Sequence, residues 1–303
     1  MLSAFLTTFC WAFAGFGSSR IARHYGSALA NGMRLFWATL LLGGWVWASG
    51  GWRLPPGWVW FALSGLLHLA IGDVALFAVY RRLGPRIGVL AVSSLAPLAA
   101  MSVEWFSLGT RIGGGQALLA AGVLGCVLLA VAPRERQHLT AKEIRLGAWA
   151  AFFASVAQGA SAAVTRIGWG EVEAAGVAVN PLLPTLLRCA FGGLGVWLWL
   201  GVRRLRGAEQ GRPADLLPHR RIGGPPWVWL AVSTLLGPML GVYFLMQALS
   251  AYPSGIVQAV LSTLPVVMLP VAWFFDGNAP SRRSAIFGTL AVALAVKLAV
   301  ASA

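Results

Sequence analysis

Acidic residues are scarce in this chain: of its 303 residues nine are Asp or Glu, against 23 Lys or Arg. Charged residues of both signs make up only 11% while hydrophobic ones reach 58%. That leaves too little polar surface to cover a soluble globule, which excludes the soluble enzyme and binding-domain classes and places the chain among membrane proteins. Cysteine is scarcer still. Cys10, Cys126 and Cys189 each fall in an apolar stretch, where a thiol behaves as a small hydrophobe, and their odd number and unpaired spacing exclude a disulfide framework and a cysteine metal site. Histidine is limited to His24, His68, His138 and His219, with no His-Glu zinc pair, and the chain has neither a nucleophile elbow nor a P-loop. These absences argue against a membrane-embedded enzyme and against ATP use by this chain alone, and no cofactor or metal is expected. No charged ring or filter loop of a channel is visible either.

What is present in quantity is apolar sequence. Spanning about 30 Å of hydrocarbon takes roughly 20 residues, and ten stretches qualify, at 2–19, 27–49, 58–80, 87–108, 114–132, 147–169, 181–202, 227–250, 254–275 and 285–302. The expected fold class is an all-α integral membrane protein with ten transmembrane helices. Residues 1–16 lack the basic start and the small-residue cleavage site of a signal peptide, so they read as a retained first helix. Many of the 15 Trp residues sit at span ends, as Trp45, Trp58, Trp199 and Trp227 do, in the manner of an interfacial belt.

A formal charge of +14 would point to nucleic acid in a soluble protein, but here the cations occupy the short connections. Odd-numbered connections hold Arg20 and Arg23; Arg81, Arg82 and Arg86; Arg134, Arg136, Lys142 and Arg145; Arg203, Arg204, Arg206, Arg212, Arg220 and Arg221; and Arg282 and Arg283. The even-numbered ones hold only Arg53 and Arg111, with Glu171 and Glu173. By the positive-inside rule the odd connections are cytoplasmic, and both termini face outward. Lysine is confined to Lys142 and Lys297, an arginine bias of GC-rich genomes, so the expected location is the plasma (inner) membrane of a bacterium.

The segment from Pro85 to Gly109 nearly recurs 168 residues later. Pro85, Val89, Ala91, Val92, Ser94, Pro97, Val103, Trp105, Phe106 and Gly109 are matched by Pro253, Val257, Ala259, Val260, Ser262, Pro265, Val271, Trp273, Phe274 and Gly277, which is 10 identities over 25 positions. Aligned prolines and tryptophans are not produced by shared hydrophobicity. Five helices per copy put the second copy into the membrane in the opposite sense, and the charge bias of the connections inverts with it. The expected organisation is a first repeat over 1–132, a polar connector over 133–146 and a second repeat over 147–303, arranged as two inverted five-helix repeats around a central cavity. Such an architecture holds a small-molecule substrate between the halves and exposes one half to the other side by rocking. Lipid and substrate are the expected partners, nucleic acid is not, and a monomer or a homodimer is compatible with the duplication.

The run Ile71-Gly72-Asp73 with Phe77, Leu83-Gly84-Pro85 and Pro97 resembles the third and fourth helices of the EamA-type transporters of the drug/metabolite transporter superfamily. Gly237-Pro238 to Gly241, Ala248-Leu249, Pro253-Ser254-Gly255, Leu264-Pro265-Val266 and Leu269-Pro270 resemble the eighth and ninth, and Arg34 and Arg188 stand where each half commonly carries an arginine in its second helix. The resemblance implies a secondary active exporter of small organic metabolites, amino-acid-like or drug-like, working by alternating access. The alternative is a proton-independent exchanger of anionic metabolites. Two features depart from the family pattern. Thr110 and Asn278 replace a glutamate often found thirteen residues after the helix 4 and helix 9 prolines, and the charge bias puts the termini outside, where many members keep them cytoplasmic.

Ionisable groups cost about 2.5–3.5 kcal/mol each in a bilayer by insertion scales, so those inside spans are functional candidates. Asp73 and Glu104 are the carboxylates well within spans and are candidates for proton coupling; the alternatives are that Asp73 caps or pairs with a buried donor such as Arg34 and that Glu104 simply reaches the interface. Arg34 and Arg188 could clamp a carboxylate or phosphate by paired hydrogen bonds, or simply snorkel to the interface, as Arg20 and Arg166 are also placed to do. His68, Gln158, Tyr243, Gln247 and Gln258 are polar groups that could line a path or hold helices together. Trp105 and Trp273 are candidates for an aromatic cavity wall. Pro97 and Pro265 predict matching kinks, because each proline frees a backbone carbonyl four residues earlier. The pairs Gly43-Gly44 and Gly192-Gly193 predict close helix contacts.

Overall fold

The computed structural model describes residues 1–131, 140–205, 225–276 and 281–302. Residues 133–139 of the expected 133–146 connector, with Arg134 and Arg136, the loop residues Arg206, Arg212, Arg220 and Arg221, and Asn278 lie outside the described residues. Helix is the only regular structure among the described residues: α1 Leu2–Tyr25, α2 Ser27–Ala48, α3 Trp58–Gly65, α4 Asp73–Leu108, α5 Gly114–Val131, α6 Ala141–Ala174, α7 Leu182–Leu205, α8 Pro226–Thr234, α9 Leu240–Ala251, α10 Ser254–Leu261, α11 Leu264–Asp276 and α12 Arg282–Val300. The ends follow local chemistry. Gly26, at φ 84°, turns the chain from α1 to α2, a Thr140–Glu143 capping box starts α6, and Pro226 opens α8 where its missing N–H costs nothing.

Seven helical runs among the described residues are long and apolar enough to cross a membrane: Trp58–Leu83, Gly88–Leu108, Ala141–Ala174, Leu182–Leu205, Pro226–Ala251, Ser254–Phe274 and Arg282–Val300. The remaining expected spans are helical but fall short of that standard. α5 is apolar over Gly114–Ala130 only, and the hydropathy of α1 and α2, 24 and 22 residues long, is diluted by serine, threonine, glycine and tryptophan. The loop expected to carry Arg81, Arg82 and Arg86 is instead helical, since α4 continues from Asp73 to Leu108.

Two π-helical segments interrupt the α-helical register, Leu66–Gly72 between α3 and α4 and Leu235–Met239 between α8 and α9. The 168-residue shift that aligns the sequence repeat also lays the second of these onto residues 67–71, inside the first. In the second segment Pro238 has no N–H to give and its ring displaces a carbonyl, which widens the turn. Each segment has a carbonyl met from the helix that follows the first in its own half: Asn31 Nδ2 donates to Leu69 O at 2.6 Å, and Cys189 Sγ donates to Pro238 O at 3.3 Å. Non-helical backbone at membrane depth needs such partners.

Helices early and late in the chain pack against one another. α1 lies against α8 and α9 as α6 lies against α3 and the first π segment; α2 pairs with α7, α5 with α12, and α4 with α10 and α11. The α3–α7 crossing is close because Gly65 meets the backbone of Arg188 and Gly192 meets Gly65 O and the Leu69 side chain. Gly193 likewise packs on Leu35, but a Cβ on Gly43 or Gly44 would meet nothing within 4 Å, so the first glycine pair is not a packing site. Repeat-equivalent aromatics share the outer surface: Trp105 and Trp273 are 55% and 56% exposed, Phe106 and Phe274 81% and 83%.

Candidate functional site

A cavity of about 60 Å³ opens among α1, α2, α4, α6, α9, α10, α11 and both π segments. Its polar lining comes from Trp11, Ser18, Arg34, His68, Asp73, Tyr80, Ser93 and Gln158, and apolar side chains such as Leu76, Phe77, Val92 and Leu264 complete the wall. All the charged lining groups precede residue 132, whereas the later part of the chain contributes Gln158 and the backbone-rich Gly237-Pro238. Close approaches shape it. Gly237 leaves room for the Arg34 guanidinium, whose Nη1 would lie 3.1 Å from an added Cβ, and Gly15 makes room for the Tyr80 hydroxyl at 3.3 Å.

Asp73 stands in the first turn of α4, directly after the π segment, and is buried. Its Oδ2 accepts a hydrogen bond from Arg34 Nη2 within a salt bridge. Arg34 also donates to Asn31 Oδ1 at 3.0 Å and weakly to Ser18 Oγ at 3.4 Å, and its guanidinium lies 4.9 Å from the Phe77 ring centroid. The other carboxylate oxygen of Asp73 faces His68 Nε2 at 3.8 Å, ion-pair range but longer than a hydrogen bond.

Behind His68 lies Arg188, fully buried at 0% exposure and outside the cavity lining. Its guanidinium is held by neutral acceptors: Ser64 Oγ at 3.0 Å, Thr165 Oγ1 at 2.5 Å, Ser161 Oγ at 3.1 Å and His68 Nδ1 at 3.1 Å. Each hydroxyl donates its own proton to a backbone carbonyl, Ser64 to Phe61, Ser161 to Ser64 and Thr165 to Ser161, which leaves its lone pairs for the arginine. A guanidinium has no lone pair to offer, so His68 Nδ1 must be the unprotonated nitrogen and Nε2 carries the proton toward Asp73. The result is an ordered run across the protein from Arg188 through His68 and Asp73 to Arg34.

The other expected residues divide plainly. Gln158 Nε2 donates to Gln258 Oε1 at 3.0 Å, so Gln258 positions a lining residue without lining the cavity itself. Gln247 is exposed and takes a hydrogen bond from Ser3 Oγ at 3.0 Å, tying α9 to the start of α1. Tyr243 packs at the edge of the apolar core. Trp105 and Trp273 face outward, away from the lining. α10 gives way to α11 across Ser262 and Thr263, just before Pro265, while α4 runs on past Pro97. Neither Arg34 nor Arg188 snorkels, because neighbouring helices enclose both.

Glu104 is buried outside the cavity lining. Its Oε2 accepts hydrogen bonds from Ser254 N at 2.6 Å and from Ser254 Oγ, at the unsatisfied N–H end of α10. Arg166 Nε lies 3.8 Å from Glu104 Oε1, and Arg166 Nη1 donates to Leu249 O at 2.9 Å and Ser250 O at 3.2 Å, at the carbonyl end of α9. One ion pair thus spans the turn between α9 and α10. Trp11, Tyr80 and Ser93, and the hydroxyl set around Arg188, have no local sequence signal and emerge only from the fold.

Buried charge, apolar spans and a polar cavity shared among many helices define a multi-pass membrane protein. Residues 1–132 match the model of the EamA-like transporter family. No curated protein matches the chain. A crystal structure of a protein 17% identical aligns over 99% of this chain and 96% of its own, with a TM-score of 0.74, a likeness of fold.

Proposed function

We propose that the chain is a secondary active transporter of small organic metabolites, with ten transmembrane helices in two inverted five-helix repeats that rock about the cavity. The observation that carries this reading is the cavity itself: a buried, charged site built from both ends of the chain, with the two π segments at repeat-equivalent places in its wall. The EamA match over residues 1–132 supports the function and the first repeat boundary. The reciprocal helix pairs and the matched exposure of Trp105 with Trp273 support the duplication. Positive connections put both termini outside, and export is the direction implied by the resemblance.

The salt bridge favours exchange against a counter-solute over proton coupling at Asp73, since protonating Asp73 would leave Arg34 buried beside a neutral partner. The test is uptake and counterflow in proteoliposomes, with an internal pH dye and a panel of amino acids, small organic acids and cationic drugs. Solute-driven flux in wild-type vesicles supports the reading. A solute-dependent pH change that disappears in Asp73→Asn while binding persists would return Asp73 to a proton-carrying role, and flux of no compound would overturn the transporter reading.

A further inference from the structure

The buried charges of the cavity region do not balance. Arg34 in the lining and Arg188 against the lining residue His68 contribute two positive charges, and Asp73 in the lining one negative. His68 adds none, because its Nδ1 accepts from Arg188 and a second ring proton would point at that guanidinium. Arg188 forms no ion pair among the described residues; its four partners are three hydroxyls and a neutral imidazole, and its Nε has no hydrogen-bond partner. Glu104 does not make up the difference, being bound to the α10 start and adjacent to Arg166. A buried unpaired cation is expensive, and proteins that keep one have a use for the charge.

We propose that the cavity binds a small monocarboxylate, whose single negative charge brings the site to neutrality. This assignment rests on the transporter reading given above. The exposed faces of the site are rich in donors: Arg34 is joined by the donor-only indole of Trp11 and by the hydroxyls of Tyr80 and Ser93. Leu76, Phe77, Val92 and Leu264 offer an apolar wall that suits a carbon skeleton and gives nothing to chloride. A volume of about 60 Å³ holds a handful of water-sized groups at roughly 10–15 Å³ each, which favours a short organic acid over a drug-sized solute. A cation would raise the local charge to two, and a phosphate dianion would overshoot in the other direction. His68 is a positioning residue in this scheme: it carries the influence of Arg188 toward the cavity through one fixed tautomer.

The experiment compares three molecules of one skeleton, lactate, lactamide and 1-amino-2-propanol, for uptake into proteoliposomes holding the full chain and for thermal stabilisation of the purified protein. Chloride serves as the anion without a skeleton. Lactate is expected to be taken up and to stabilise, with at least about a tenfold preference over lactamide, one buried charged hydrogen bond's worth, and no response to the amine or to chloride. Arg188→Gln should raise the half-saturating lactate concentration by about tenfold while Arg188→Lys, which keeps the charge, retains most of the affinity. Because Arg188→Gln could fail to fold, Trp11→Phe gives a second reading from a cavity donor outside the buried run, and it should weaken lactate more than lactamide, since a bond to a carboxylate is the stronger one. Uptake of lactamide or the amine at least equal to that of lactate overturns the carboxylate assignment and leaves a transporter. A chloride response equal to lactate's makes it a site for inorganic anions and overturns it as well. Uptake of none of these, together with none of the wider panel, overturns both.

Discussion

Replacing Asp73 by Asn keeps the side chain's shape and removes its charge from a site where Arg34 and Asp73 are 6% and 8% exposed. The loss leaves the Arg34 guanidinium buried with Asn31 Oδ1 and Ser18 Oγ as its remaining acceptors. Breaking one partner out of a buried pair costs about 3–5 kcal/mol, whereas removing both charges together with a residue of similar volume is close to neutral. Asp73→Asn alone is therefore expected to destabilise the protein by about 3–5 kcal/mol. The double variant Asp73→Asn with Arg34→Met should cost at least about 2 kcal/mol less than the two single variants summed. The assay is unfolding of the full chain in detergent, followed by the fluorescence of its tryptophans. Additivity of the two single effects to within about 0.5 kcal/mol would refute the claim that the two side chains form one energetic unit. A loss under about 1 kcal/mol for Asp73→Asn would show that the charge is solvated in a way the enclosed geometry does not allow.

Three further outcomes follow from the packing and the charge pattern. Gly65→Ala would drive a methyl into the Arg188 backbone and should cost about 1–3 kcal/mol or more, while Gly43→Ala, with open space around it, should gain up to about 1 kcal/mol of helix propensity; melting of the two variants side by side reads the contrast. Glu104→Ala removes the acceptor at the α10 start and should cost about 1–3 kcal/mol, with Glu104→Gln in between; if Glu104→Ala melts like wild type, the capping role is wrong. The charge-based orientation proposed above predicts that a green fluorescent protein fused to the C-terminus stays dark and an alkaline phosphatase fused there is active, and the reverse pattern would overturn it.

The sequence made the membrane class legible because apolar length is a one-dimensional signal that needs no tertiary information. Asp73 was legible for the same reason, as a rare acid in an apolar run. The partners of Arg188 were not: Ser64, Ser161 and Thr165 look like ordinary small residues of membrane helices, and only the α3–α6–α7 packing converges their lone pairs on one guanidinium. Snorkelling was the ordinary expectation for Arg34 and Arg188, and it fails because burial depends on which helix face a neighbour covers, a fact the linear pattern does not carry. The same limit applies to Gly43 and Gly192, alike in sequence and unlike in surroundings. Glu104 is legible as a rare acid in an apolar run, but its hydrogen bond to the α10 start 150 residues along the chain is not. The continuity of α4 through Arg81 and Arg82 was masked by their charge, which marks an interface in sequence but does not break a helix.

The π segment at Leu66–Gly72 has a consequence for how this family of shapes can change over generations. A π turn is an α-helix carrying an inserted residue, and one residue of an α-helix is a rotation of about 100°. A one-residue insertion or deletion in α4 just after Asp73 would turn the later lining residues Leu76, Phe77 and Tyr80 to a different face, so the site is sensitive to helix register as well as to substitution. A second π segment occurs 168 residues away, where no acid follows it and Gly241 stands in the place of Asp73, so one widened turn sets a charge in the cavity wall and the other sets only backbone there.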